Sequence, residues 1–254
     1  MWQAWQVNNH GIPDLHDGPA AMNPARDGRI LAIAAIAFAI TFFVNIVLTD
    51  APDMYSANAP TLDFYRDSGL LLKGMLAAYA AAAAAFCFIV MVVSAVRLLD
   101  RSRQHLAAIA AAIGGASFVA LYLAGAALFV APAFTLVFNN EAGPIPLTDD
   151  FALFARAAVG LGDVFLLFIC GFSAAVFVAA VSFGGRRAGF LPRWLAAFGV
   201  VTAVVLVLPL IFFSLIFLVA WAVVIGAYLL RRQSSVSPEP NATAAVNARA
   251  SAEG

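Results

Sequence analysis

The stretch 194–230, WLAAFGVVTAVVLVLPLIFFSLIFLVAWAVVIGAYLL, runs for 37 residues without a single charge. A helix needs about 20 apolar residues to cross the ~30 Å hydrocarbon core, so this stretch is too long for one upright span and barely long enough for two joined by a tight turn. Its flanks decide between them. Arg186, Arg187 and Arg193 precede the core of the stretch, and Arg231 and Arg232 close it. Arginines gather on the cytoplasmic side of a membrane, and both clusters share a side only if the chain crosses twice between them. Pro209 supplies a place to turn, because it lacks an amide donor and disfavours helix at Leu208. The reading is therefore two spans, 194–210 and 212–230. One long, strongly tilted helix is the alternative, and it leaves Arg231 and Arg232 outside.

On either side of this stretch, the apolar runs 30–49, 70–96, 106–131 and 152–183 are each long enough to span. Arg26 and Arg29 precede the first, and Arg97, Arg101 and Arg103 follow the second. The loops between, 50–69 and 132–151, hold Asp50, Asp53, Asp63, Asp67, Glu141, Asp149 and Asp150 against one base, Arg66. The same bias places the arginine clusters in the cytoplasm and the acidic loops outside. The expected fold is an all-α, polytopic transmembrane helix bundle of six spans. Residues 1–29 form a polar cytoplasmic segment and 30–232 the bundle. Residues 233–254 form a cytoplasmic tail with no apolar period, read as disordered. The first run, about 19 residues from Ile30 to Leu48, exceeds the ~7–15 of a signal-peptide core, so Ala57-Asn58-Ala59 is not read as a cleavage site.

Composition agrees. Of 254 residues, 63% are hydrophobic and 11% charged, with mean hydropathy +0.93; a soluble domain carries roughly a quarter charged residues. Soluble enzymes and nucleic-acid binders are excluded together, since the formal net charge is zero and no basic stripe exists to meet phosphates along a nucleic acid. The expected partner is the lipid bilayer, with a homo-oligomer left open. One lysine against thirteen arginines points to a GC-rich bacterial genome, hence a bacterial plasma membrane. Cys87 and Cys170 both sit inside apolar runs and say nothing of redox compartment.

A shift of 83 positions aligns Asp67 with Asp150, Lys73 with Arg156, Cys87 with Cys170 and Arg103 with Arg186, and carries the first span onto the third. Repeated helix hairpins explain this, as does the charge pattern that any two successive in–out–in hairpins share. Ala112, Ala116, Ala120 and Ala124 recur every four residues, and six alanines follow Tyr79. Small residues at such spacing let helices approach closely in lipid, predicting a compact bundle.

Chemistry-bearing residues are few. His10, His16 and His105 lie outside the spans, which excludes bis-histidine haem ligation across the membrane. No HExxH, CxxC, GxSxG or phosphate-loop pattern occurs, so no catalytic residue, metal ligand or cofactor is assigned. The run His10-Gly-Ile-Pro-Asp14-Leu-His16-Asp17 is read as a solvated loop rather than a metal site. Asp163 is the sharpest feature. It lies well inside the fourth span, where an ionised carboxylate costs ~2.5–3.5 kcal/mol on insertion scales, so it should face the bundle and be paired or protonated. At helical spacing its neighbours are Gly160, Leu167, Cys170 and Ala174, a stripe suited to another helix. Arg156 and Lys73 sit near the outer ends of their spans. Arg156 shares Asp163's face about 10.5 Å away but leans toward the outer surface, which predicts snorkelling to headgroups. Asp67 and Thr148-Asp149-Asp150 are expected helix N-caps. Asn45, Tyr79, Tyr122 and Ser173 are candidate partners for Asp163.

Leu191-Pro-Arg-Trp-Leu followed by an apolar hairpin ending in Tyr228-Leu-Leu-Arg-Arg232, with Gly162-Asp163-Val-Phe-Leu-Leu in the fourth span, resembles uncharacterised six-span integral membrane proteins of actinobacteria, among the bacterial domains of unknown function. That resemblance implies a fold and a membrane and no activity. The preferred function is a non-enzymatic plasma-membrane accessory or sensor protein. The alternative is a small proton-coupled transporter or carrier using Asp163 with Arg156 or Lys73, with a membrane enzyme third.

Overall fold

The structure, a computed structural model, describes residues 24–49, 55, 57–138, 146–208 and 214–234. Every regular element among them is helical. They are α1 (Pro24–Leu48), α2 (Asn58–Arg66), α3 (Ser68–Arg101), α4 (His105–Phe138) and α5 (Asp149–Asp163), then a π-helical turn (Val164–Ile169). After it come α6 (Cys170–Arg187), α7 (Arg193–Val207) and α8 (Ser214–Ser234). Five stretches are long and apolar enough to cross a membrane, among them 149–187 taken as a whole; α7, at 15 residues, is shorter. The chain is a multi-pass, membrane-embedded helical protein.

The helix ends follow from local chemistry. The Asp67 carboxylate accepts from the Gly69 and Leu70 amides at 2.8 and 3.4 Å, capping α3. The Thr148 hydroxyl accepts from the Phe151 amide at 3.4 Å, and Asp149 and Asp150 fill the first turn of α5. Both acidic groups complement exposed amides at the positive end of a helix dipole. α2 lies inside what the sequence presents as an external loop. It is short and polar, but Thr61, Leu62 and Tyr65 share one buried face, and Pro60 stands in its first turn, where a missing amide costs nothing.

The long helices close into a ring in the order α1, α3, α4, α6, α7, α8 and back to α1. Aromatic rings from across it meet in the middle. Phe38 lies 4.9 Å from Phe88, Phe88 lies 4.4 Å from Phe118 and 5.1 Å from Phe177, and Phe177 meets Trp221 at 6.0 Å. In lipid there is no hydrophobic gain on helix association, so such packing depends on close contact. Glycine makes it possible: a Cβ at Gly114 would stand 2.7 Å from the Phe177 amide nitrogen, and one at Gly226 would stand 2.9 Å from the Ala32 carbonyl.

The alanine stripe of the third span does not supply that contact. Ala116 and Ala120 are exposed and Ala112 and Ala124 half-buried; the inward face of α4 instead carries Ala111, Gly114, Phe118, Tyr122 and Gly125. Spacing alone does not choose between two faces of one helix, and the face with the glycines and the aromatic rings packs more closely. Of the alanines after Tyr79, Ala81, Ala84 and Ala85 are buried while Ala82 and Ala83 face outward.

The final apolar stretch is not one long helix. α7 and α8 lie antiparallel: Trp194 meets Tyr228 at 6.2 Å, Trp221 comes beside Gly199, and Arg232 donates to the Phe190 carbonyl at 3.0 Å. The turn itself, with Pro209, lies outside the described residues. This hairpin returns Arg231 and Arg232 to the end of the bundle that also holds Arg186, Arg187 and Arg193. The start of α1 reaches the same end, where Asp27, buried, is ion-paired with Arg101 and Gly28 lies against Gln233. The arginine clusters therefore share one end, and Asp63, Asp67, Asp149 and Asp150 sit at the other. The expected tail begins later than read, since Gln233 and Ser234 continue α8; residues 235–254 and the His10–Asp17 run lie outside the described residues.

Candidate intramembrane polar site

Asp163 closes α5 and is half-buried, immediately before the π-helical turn. The turn has a visible cause. Gly162, buried, accepts the Phe129 ring of α4 at 2.7 Å from its would-be Cβ, and Gly125 of α4 faces Leu166 and Phe165 at 2.7 and 3.2 Å. Large side chains of the fourth span thus seat over a glycine of the third, and the backbone widens to deliver them. A π turn carries one residue more than an α turn, so α6 is rotated by about 100° relative to an unbroken helix. The expected stripe through Asp163, Cys170 and Ala174 is accordingly broken: Cys170 and Ala174 are fully buried, while Asp163, Gly160 and Leu167 are only partly so.

Arg156 does not simply snorkel to headgroups. Its Nη2 donates to Asn58 Oδ1 at 2.6 Å, and Asn58 Nδ2 donates in turn to Asp149 Oδ1 at 2.8 Å. The side chain leans toward the helix N-terminus, as the geometry of Cα–Cβ bonds requires, and finds α2 there. Arg156 therefore ties α2 over the N-terminal end of α5. A small apolar core under the same element, Leu62, Tyr65 and Phe151 against Ala133, Ala152 and Ala155, completes the cap. Burial pushes the Tyr65 phenol up from 10.0 to about 12. Lys73 is half-buried in the second turn of α3.

Two of the residues weighed as partners for Asp163 pair with each other. Tyr122 Oη donates to Asn45 Oδ1 at 3.0 Å, and Asn45 Nδ2 donates to the Ala77 carbonyl at 2.9 Å, joining α4, α1 and α3. Tyr79 is 72% exposed on the outer face of α3, and Ser173 is half-buried in α6. An apolar groove of about 580 Å³ runs between α3 and α4 past Met75, Tyr79, Leu123 and Phe134. A cavity of about 30 Å³ lies beside Asn45, Gly74 and Leu166, enough for one or two waters. Neither is lined by Asp163, Arg156 or Lys73.

No family model, curated protein or solved structure matches this chain. Among the described residues, no three His, Cys, Asp or Glu side chains gather as a metal site. Sequence reasoning missed the Asn58–Arg156–Asp149 network because it took 50–69 as a loop. The signal lay in Thr61, Leu62 and Tyr65, a one-sided pattern at helical spacing.

Proposed function

We propose that this chain is a six-span, non-enzymatic protein of the bacterial plasma membrane, an accessory or sensor component with both termini cytoplasmic. The observation that carries this reading is how the polar groups in and beside the spans are used. Asn45 and Tyr122 join three helices to one another, and Asn58, Arg156 and Asp149 hold α2 on α5. These groups serve assembly, as structural polar contacts between membrane helices do. The antiparallel α7–α8 pair and the gathering of arginines at one end support six spans and a cytoplasmic basic end, in keeping with the resemblance to six-span actinobacterial proteins.

One observation favours the alternative, a proton-coupled carrier: π turns inside helices often mark functional positions, and this one begins at the residue after the intramembrane carboxylate. Two substitutions separate the readings. If Asp163 is structural, Asp163→Asn keeps folded yield while Asp163→Leu lowers it by stranding polar neighbours. If it couples protons, Asp163→Asn folds normally and abolishes pH-driven uptake in proteoliposomes. Equal tolerance of Asn, Leu and Lys in yield and uptake would defeat both.

A further inference from the structure

At the basic end, the turn between α3 and α4 and the last turn of α6 border an open cavity of about 250 Å³, lined by Arg103, Gln104, His105, Leu106, Phe183 and Arg187 among others. Arg103 stands at φ 58°, and among the described residues it is the one non-glycine in the left-handed region. The position is the C-terminal stop of α3, where the Arg103 amide donates to Asp100 O at 2.9 Å and the Gln104 amide to Leu99 O at 2.9 Å. Glycine is the usual occupant of such a stop, since only it enters this region freely. An arginine held there instead places a guanidinium at the cavity. Arg187 arrives from the other side because Gly184 lets the end of α6 close on α4, a Cβ there standing 2.7 Å from Ala107 Cβ. Neither arginine has an ion-pair or hydrogen-bonded side-chain partner among the described residues. The amides of His105, Leu106 and Ala107 at the start of α4 have no acceptor within their own helix and add to the donor set, while the Ala108 amide donates to the Gln104 carbonyl at 2.9 Å.

Among the described residues one acidic group adjoins the cavity: Asp100 Oδ1 lies 2.6 Å from His105 Nδ1 and is occupied by it. Below the cavity the surface turns apolar. Leu106, Ile109 and Ile113 succeed one another along the exposed face of α4, and Phe183 and Val176 do the same along α6. Two parallel apolar tracks therefore descend from a pair of guanidiniums, a surface matched to a molecule with a phosphate at one end and acyl chains at the other.

We infer that the Arg103–Arg187 cavity binds the phosphate of an anionic phospholipid, whose chains lie along the Leu106–Ile113 and Val176–Phe183 tracks. The planar guanidiniums supply paired donors to phosphate oxygens, which a choline headgroup's own cation would oppose. The turn's strain is retained because glycine, the easier residue, would contribute no charge.

The test uses the full chain purified in neutral detergent. Lipid retention is followed by native mass spectrometry, and thermal stability is measured with added phosphatidylglycerol, phosphatidylcholine or inorganic phosphate. Phosphatidylglycerol is expected to bind and raise the melting temperature while phosphatidylcholine does neither. Arg187→Gln should weaken phosphatidylglycerol binding roughly tenfold, as expected for loss of one charge-assisted contact. Arg103→Gly should do the same while the lipid-free protein melts no lower than the parent, because the turn is relieved. Arg231→Gln, an equal loss of charge at the same end, should leave binding unchanged. Equal weakening by Arg231→Gln would show diffuse attraction to a basic surface and overturn the site. Protection by millimolar inorganic phosphate as large as that by phosphatidylglycerol would overturn the lipid assignment. Unaltered binding in both Arg103→Gly and Arg187→Gln would remove these residues from any role.

Discussion

The second and fourth apolar runs start from nearly the same material and end differently. α3 is an unbroken helix of 34 residues opened by an Asp cap and closed by arginine. The run from Asp149 to Arg187 covers 39 residues, opens on a Thr cap, closes on arginine, and is divided by a π turn. The two differ in the distribution of bulk. The middle of α3 is alanine, which fits against any neighbour, whereas the fourth run places Phe165 and Leu166 opposite Gly125 and must widen to seat them. Matching charge and apolarity thus set the ends of a membrane helix, and the pairing of large with small residues sets its internal register.

The largest effect expected from this contrast is on deletions. Removing Ala83 from α3 rotates the remainder of that helix by about 100°, turning Phe88 and Met91 out of the core, and should abolish monodisperse protein on size exclusion. Removing Leu167 lets the π turn close to an α turn while α6 keeps its face, and folded yield should stay near the parent's. Loss of both proteins would show that the wide turn carries no spare residue.

A matched pair of glycines sharpens the point at smaller scale. Gly125→Ala drives a methyl to 2.7 Å from Leu166 Cγ, and should cost about 1–2 kcal/mol, read as a lower melting temperature. Gly74→Ala on α3 meets nothing within 4 Å, and should gain about 0.5–1 kcal/mol from helix propensity.

The sequence was most legible where lipid imposes simple rules. Run lengths and arginine clusters located the long helices, and Asp67 and Thr148 declared their own caps. It was least legible where a face had to be chosen. The alanines at 112, 116, 120 and 124 have the right spacing and the wrong side, because spacing is blind to which face carries glycine. Asp163 stood out as a charge in an apolar run, yet its helical neighbours were misplaced, since a π turn leaves no mark in apolar periodicity. α2 escaped because nine residues of mixed polarity do not resemble a span.

The smallest effect concerns the cap that α2 forms over the N-terminal end of α5. With its phenol raised to about 12, the neutral form of Tyr65 stabilises the packed α2 at all pH values below 10. That contribution is lost as pH climbs from 10 toward 12, where the unfolded phenol ionises more readily than the buried one. Tyr65→Phe should flatten the fall of melting temperature between pH 10 and about 12, the window set by these two values. An unchanged slope would place the ring in water.

Above all, the fold is a ring of helices whose basic ends gather at one end of the bundle, with α7 and α8 as a returning hairpin, and the proposed topology puts that end in the cytoplasm. Single cysteines at Gln104, Gly189, Gln233 and Tyr55, in a background lacking Cys87 and Cys170, test it directly when intact cells are treated with an impermeant maleimide. The positions at 104, 189 and 233 should be protected until the cells are lysed, and position 55 should be labelled at once. Labelling at 233 from outside, with 104 and 189 protected, would contradict a membrane-crossing hairpin and favour five crossings over the proposed six.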